Sequence, residues 1–106
     1  MSAVSFYETG RGQAESSDGT RVWLKWTHQP DGTSLFYQTS TGTAEIHVFP
    51  WADDICEGGD RVDVYLVRWP EWTGKRLFTE EEYMKLRSDL LVALPTMGSG
   101  AVTFKE

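Results

Sequence analysis

The chain has 106 residues, of which 40% are hydrophobic and 13% aromatic, and its formal net charge is −6 at pH 7. This length fits one domain over residues 1–106 with a single core, and the hydrophobic content excludes a disordered chain. The negative charge repels nucleic-acid backbones, and no apolar run reaches the ~18 residues of a membrane-spanning helix, so both nucleic-acid and membrane binding are disfavoured.

The first two thirds of the chain predict β-strands separated by turns. An extended stretch over about 4–15 is followed by Asp18-Gly19, which is a strong hairpin signal. The further turn signals are Pro30-Asp31-Gly32 and Thr41-Gly42. The strands predicted from alternating hydrophobicity are 21–27, 34–38, 44–49 and 61–69. The last of these has Val62, Val64 and Leu66 on one face and is ended by Pro70.

A helix follows these strands. Thr79 and Glu82 have the spacing of a capping box, which predicts a helix that begins after Thr79. The apolar face at helical spacing consists of Tyr83, Leu86, Leu90 and Leu94. Because proline disfavours helix at the residue before it, Pro95 predicts that the helix ends near Ala93. A short strand over 102–105 closes the chain.

Together these elements predict an α+β fold. We expect an antiparallel meander sheet of five to six strands, with one C-terminal amphipathic helix packed on one face and a short final strand. The short connections favour a meander, since only one helix is available for a crossover.

The segment 53–60 is predicted to be an acidic loop, and tryptophans lie on both sides of it. Carboxylates beside aromatic residues suit a basic protein partner, which would be steered by charge and anchored by aromatic burial. The predicted partner-binding residues are Trp51, Asp53, Asp54, Glu57, Asp60 and Trp72. Two alternatives are a solvated loop that serves solubility and a calcium loop that turns at Gly58-Gly59.

No catalytic residue, metal site or cofactor is predicted. Cys56 could act as a nucleophile only with His28 or His47 as its base, and the acidic residues around it would raise its pKa. A single cysteine excludes an intramolecular disulfide, and the N-terminus has no signal-peptide pattern. We therefore expect a cytoplasmic protein.

Apolar residues also occupy the second face of two predicted strands. They are Trp23, Tyr65, Val67 and Trp69. This surplus is consistent with a partial second core, a homodimer interface or an aromatic groove for a small ligand.

The C-terminal part of the chain, residues 68–106, reads RWPEWTGKRLFTEEEYMKLRSDLLVALPTMGSGAVTFKE. Its Trp-Pro turn, capped helix and closing strand resemble small α+β immunity proteins of bacterial polymorphic toxin systems. The resemblance implies a small, acidic, non-enzymatic protein that binds one cognate toxin and blocks its active site. A phage-encoded inhibitor of a host protein would share these features. A homodimeric adaptor and a small-ligand binder remain as alternative functions.

Overall fold

The structure is a computed structural model that describes residues 5–26 and 30–106. The strands are β1 (Phe6–Gly10), β2 (Gln13–Ser16), β3 (Arg21–Leu24), β4 (Thr33–Gln38), β5 (Thr43–Phe49), β6 (Val62–Tyr65) and β7 (Val102–Lys105). The helices are α1 (Ala52–Glu57) and α2 (Glu80–Met97). These elements confirm the predicted α+β class, in which a mostly antiparallel sheet precedes a C-terminal helix and a final strand.

Within the described residues, the sheet has seven strands in sequence order, where five to six were predicted. The N-terminal stretch forms two strands because the chain reverses at Arg11 and Gly12. All neighbouring strands are antiparallel except β6 and β7, which are parallel. The prediction of an antiparallel meander was therefore wrong for the last strand, because α2 supplies the crossover that a parallel pair needs.

Some predicted boundaries also shift. The strand predicted over 21–27 ends at Leu24, while its last residue and His28 lie outside the described residues. The strand predicted over 61–69 ends at Tyr65. Val62, Val64 and Leu66 are buried as predicted.

The predicted capping box is present at the start of α2. The backbone N–H of Glu82 donates to Thr79 Oγ1 at 3.2 Å, and the backbone N–H of Thr79 donates to Glu82 Oε1 at 2.8 Å. The helix continues to Met97, so the predicted end near Ala93 was wrong. Pro95 lies in the last turn, where burial of Leu94 and Met97 compensates for the backbone hydrogen bond that proline cannot donate.

The sheet curls around α2. The helix returns the chain from the end of β6 to the start of β7, so it runs antiparallel to both strands, and it packs against β1 and β2 as well as β7. Since β1 and β7 are opposite edges of the sheet, one helix lying along the strands can reach both only if the sheet is curved. The core therefore lies on the inner, concave face, between the sheet and α2.

The segment 66–79 closes one end of this core. Trp72 is 1% exposed and stacks on Phe78 and Tyr37, with ring centroids 4.1 and 6.1 Å apart. The chain folds back on itself here, because the N–H of Phe78 donates to the carbonyl of Pro70 at 2.9 Å. Because β6 ends earlier than predicted, the segment 66–79 turns into the core and buries Trp72. The predicted role of Trp72 as a surface anchor was therefore wrong.

Candidate functional site

The acidic segment is largely helical. The predicted loop over 53–60 is a helix up to Glu57, and it leaves the helix only at 58–60. Ala52 and Ile55 are three residues apart and both buried, so they fix one side of α1 to the core. Asp53 and Asp54 lie in the first turn, where the helix dipole favours negative charge.

Burial of that apolar side directs the acidic side chains outward. The side chains of Asp53 and Glu57 are 46% and 65% exposed, and Asp54 and Asp60 are exposed as well. Asp53 and Glu57 are one helical turn apart, so they lie on the same side of α1. The structure thus places all four predicted carboxylates on the surface at one end of the sheet.

Arg11, in the turn between β1 and β2, partly neutralises this surface. Its Nη2 lies 3.5 Å from Asp53 Oδ1 and also contacts Glu57 Oε1. The guanidinium carbon lies 5.0 Å from the ring centroid of Trp26, a distance typical of a cation–π contact. Arg11 therefore connects the first hairpin to α1 and to an aromatic side chain.

Three large aromatic side chains are exposed at the same end of the sheet. Phe49 is the last residue of β5 and Trp51 is the N-cap of α1, and they are 45% and 38% exposed. Trp26 is 43% exposed and covers Gly12. We refer to this surface as the acidic end, which consists of Arg11, Trp26, Phe49, Trp51, Asp53, Asp54, Glu57 and Asp60.

Sequence reasoning missed three members of the acidic end. Trp26 falls in the strand predicted over 21–27, but β3 ends at Leu24, so Trp26 does not follow the alternation of that strand. Neither Phe49 nor Arg11 was predicted as a site residue, and the carboxylates that Arg11 contacts lie more than forty residues from it in the sequence. Asp63, which is close to the acidic segment in sequence, lies in β6 and pairs with Arg61 at 3.5 Å.

Cys56 is not placed for nucleophilic catalysis with His47, and the alternative base His28 lies outside the described residues. It is half-buried on α1, on the inner face of the sheet, and burial raises the pKa of its thiol. His47 lies on the outer face, where Nε2 is 2.7 Å from the carbonyl oxygen of Asp31. Cys56 and His47 therefore lie on opposite sides of the sheet and cannot form a nucleophile–base pair.

The acidic residues do not converge on a cation site. In the described ranges 5–26 and 30–106, no group of three or more His, Cys, Asp or Glu side chains is arranged to hold a metal ion. The calcium alternative thus has no set of ligands in this part of the chain.

A second concave surface lies on the outer side of the sheet, between β4–β6 and the segment 66–79. This groove has a volume of about 930 Å³. The residues that line it are Ser34, Glu45, Ile46, His47, Tyr65, Leu66, Val67, Arg68, Trp69, Pro70, Glu71, Thr73 and Leu77. Of the four outer-face residues singled out from the sequence, the groove contains Tyr65, Val67 and Trp69, whereas Trp23 stacks on Phe36 at 5.4 Å.

No known protein family, curated protein or solved structure matches this chain. Over the residues that the structure describes, neither helix is both long and apolar enough to cross a membrane.

Proposed function

We propose that this chain is a non-enzymatic protein-binding module that inhibits a cognate effector by covering a basic surface of that effector with the acidic end. The observation that carries the proposal is the coincidence of exposed carboxylates and exposed aromatic rings at one end of the sheet. Either feature alone is common on protein surfaces, but together they match the composition of a binding site for a basic partner.

The charges of the acidic end support a basic partner. The acidic end has four carboxylates and one basic side chain, Arg11, which contacts Asp53 and Glu57. Within the described residues, the side chains of Asp54 and Asp60 make no ion pair. A net charge of −6 on the whole chain adds a long-range field of the same sign, which accelerates encounter with a cationic protein.

The aromatic residues supply the contact energy that surface charges lack. Exposed ion pairs contribute about 0–1 kcal/mol each, whereas a buried tryptophan at the centre of an interface contributes about 2 kcal/mol or more. Trp51 precedes the acidic turn of α1, and Trp26 contacts the arginine that bridges it. Both rings can therefore be covered by the same partner that meets the carboxylates.

The nature of the partner is also a proposal. The resemblance of residues 68–106 to immunity proteins favours a toxin as the effector, and a host protein blocked by a phage-encoded inhibitor would meet the same surface. The single cysteine suits a reducing compartment, so we propose that the protein acts in the cytoplasm.

A matched pair of variants tests this function. Asp53→Asn/Asp54→Asn removes two charges from the first turn of α1, and Glu80→Gln/Glu81→Gln removes two charges from the first turn of α2. We expect immobilised wild-type protein to capture one dominant basic protein from source-cell lysate. The α1 variant should lose that protein, and the α2 variant should retain it. Equal capture by both variants would contradict binding through the acidic end.

The kinetics of the purified complex give a second test. Raising the salt concentration screens long-range attraction, so we expect it to slow association much more than it speeds dissociation. The variant Trp51→Ala should instead act mainly on dissociation, because it removes a short-range contact. Association that is independent of salt would contradict the proposed mechanism.

A further inference from the structure

The acidic end already contains one cationic side chain, and that side chain belongs to the protein itself. The guanidinium of Arg11 contacts the carboxylates of Asp53 and Glu57, which lie one helical turn apart on α1. The guanidinium carbon also lies 5.0 Å from the ring centroid of Trp26. We refer to Trp26, Asp53 and Glu57 as the guanidinium cradle, because all three side chains contact one planar cation.

The cradle is held in place by contacts that do not involve the guanidinium. The indole ring of Trp26 lies against Gly12, where a Cβ would come within 2.8 Å of ring carbon Cζ2, so a larger residue would push the ring away. Gly12 also has a φ of 72°, a conformation that favours glycine. On the other side of the cradle, burial of Ala52 and Ile55 fixes α1 and its carboxylates. The ring and the carboxylates therefore stay available to another cation when Arg11 leaves.

Arg11 is held in the cradle by exposed contacts. Its side chain and those of Asp53 and Glu57 are between 46% and 65% exposed. Ion pairs and cation–π contacts at such exposure are individually weak, because water and salt screen the charges. A second guanidinium from outside can therefore replace Arg11 at little cost.

We propose that the basic partner inserts an arginine into the guanidinium cradle and displaces Arg11. This inference rests on the proposed function, because it names the side chain by which the partner meets the acidic end. An arginine fits better than a lysine, since its planar fork can contact two carboxylates while it lies over an indole ring, whereas a lysine ammonium is a compact point charge. Arg11 is thus an internal competitor that occupies the cradle in the free protein.

Competition gives the effect of removing Arg11 a sign that a structural role would not give. If Arg11 occupies the position of the partner's arginine, the variant Arg11→Gln should bind more tightly, by roughly three- to tenfold in Kd, because no internal contact has to be broken first. If Arg11 only positions α1 against the first hairpin, the same variant should bind more weakly.

The variant Arg21→Gln is a matched control. Arg21, at the start of β3, pairs with Glu15 at 3.4 Å and lies 5.5 Å from the ring centroid of Trp23. Its removal therefore deletes the same kind of contacts and changes the net charge equally, but away from the acidic end. Arg11 and Arg21 are both exposed, so the two variants should keep the circular dichroism spectrum of the wild type.

Short peptides test the cradle without the partner. A blocked Gly-Arg-Gly peptide should bind Arg11→Gln in the millimolar range and shift the NMR signal of the Trp26 indole N–H. The wild type and Arg21→Gln should bind it roughly three- to tenfold more weakly, and a blocked Gly-Lys-Gly peptide should bind every protein less tightly. Absence of binding to Arg11→Gln up to roughly 100 mM, or equal binding of the two peptides, would overturn the proposal.

The captured partner separates this inference from the proposed function. We expect Arg11→Gln to bind it more tightly than both the wild type and Arg21→Gln. If Asp53→Asn/Asp54→Asn loses the partner but Arg11→Gln binds no more tightly than Arg21→Gln, the proposed function stands and the displacement of Arg11 is overturned. If Asp53→Asn/Asp54→Asn retains the partner, the proposed function fails, and the peptide titration alone decides whether the cradle recognises arginine.

Discussion

Removing the hydroxyl of Tyr37 should destabilise the protein, because this hydroxyl donates to a buried carboxylate. Tyr37 Oη lies 2.6 Å from Asp89 Oδ2, and Lys85 Nζ lies 2.7 Å from the same oxygen. Tyr37 and Asp89 are each 1% exposed. The hydrogen bond therefore connects β4 to α2 inside the core, and Tyr37→Phe removes it with almost no change of shape.

The size of the effect follows from the charge and burial of the acceptor. A hydrogen bond to a charged group contributes about 1.5–3 kcal/mol. A chain of this length has an unfolding entropy of about 0.22 kcal/mol/K near its melting temperature. We therefore expect Tyr37→Phe to lower the melting temperature by about 7–14 °C. The control Tyr65→Phe removes a half-buried hydroxyl on the outer face and should change the stability by less than about 0.5 kcal/mol.

The difference in stability between the wild type and Tyr37→Phe should depend on pH. Burial raises the pKa of Tyr37 far above its usual range, and the nearby Asp89 carboxylate raises it further. Because the folded-state pKa is raised, the stability that this group contributes is fully present below the unfolded-state pKa near 10 and is lost as the pH rises above it. The advantage of the wild type over Tyr37→Phe should thus shrink by about 1.4 kcal/mol between pH 8 and pH 11.

Urea unfolding followed by circular dichroism, at both pH values, measures these quantities. Other groups titrate equally in the wild type and the variant, so the difference between them reports Tyr37. A loss below about 0.5 kcal/mol at pH 8 would refute the energetic argument. A difference that stays constant up to pH 11 would refute the assignment of a raised pKa.

Three further predictions concern the capping box, the end of α2 and the cysteine. The ion pair with Arg76 and the capping hydrogen bond lower the pKa of Glu82 to about 2, so the wild type should lose stability relative to Glu82→Gln as the pH falls from about 4.5 to 2. Urea unfolding that gives the same stability difference between the two proteins at pH 6 and at pH 3 would contradict this. Gly98 has a φ of 117°, and a Cβ there would overlap the carbonyl oxygen of Cys56. The variant Gly98→Ala should therefore destabilise the fold by at least about 1–3 kcal/mol, and an unchanged melting temperature would contradict this. Because burial raises the pKa of Cys56, iodoacetamide should modify the folded chain more slowly at pH 8 than the urea-unfolded chain, and equal rates would show an accessible thiolate.

The features that sequence predicted correctly are those decided by near neighbours. The start of α2 depends on Thr79 and Glu82, which are three residues apart, and both capping bonds form. The turn at Asp18-Gly19 joins β2 to β3 as predicted, with Gly19 at a φ of 88°. Local alternation also identified Val62 and Val64 as core residues. In each case the energy that decides the structure comes from a few adjacent residues.

The features that sequence missed depend on distant contacts. Pro95 stays helical because Leu94 and Met97 are needed to fill the core. This packing contribution cannot be read from the residues next to Pro95 in the sequence. Trp72 is buried because Tyr37, far along the chain, provides a ring for it to stack on. The acidic residues of the site were identified by composition, but their arrangement around Arg11 depends on an ion pair across the fold.

The curvature of the sheet has a consequence for self-association through the backbone. An open sheet exposes unpaired N–H and C=O groups along its edge strands, and flat edges of this kind nucleate aggregates. Here the sheet bends around α2 at both edges, and β1 is also irregular between Glu8 and Gly10. A strand added to either edge would have to follow the bend around the helix, which is incompatible with a flat, stacked ladder. The native chain should therefore resist fibril growth, and detachment of α2 should be the step that exposes it to aggregation.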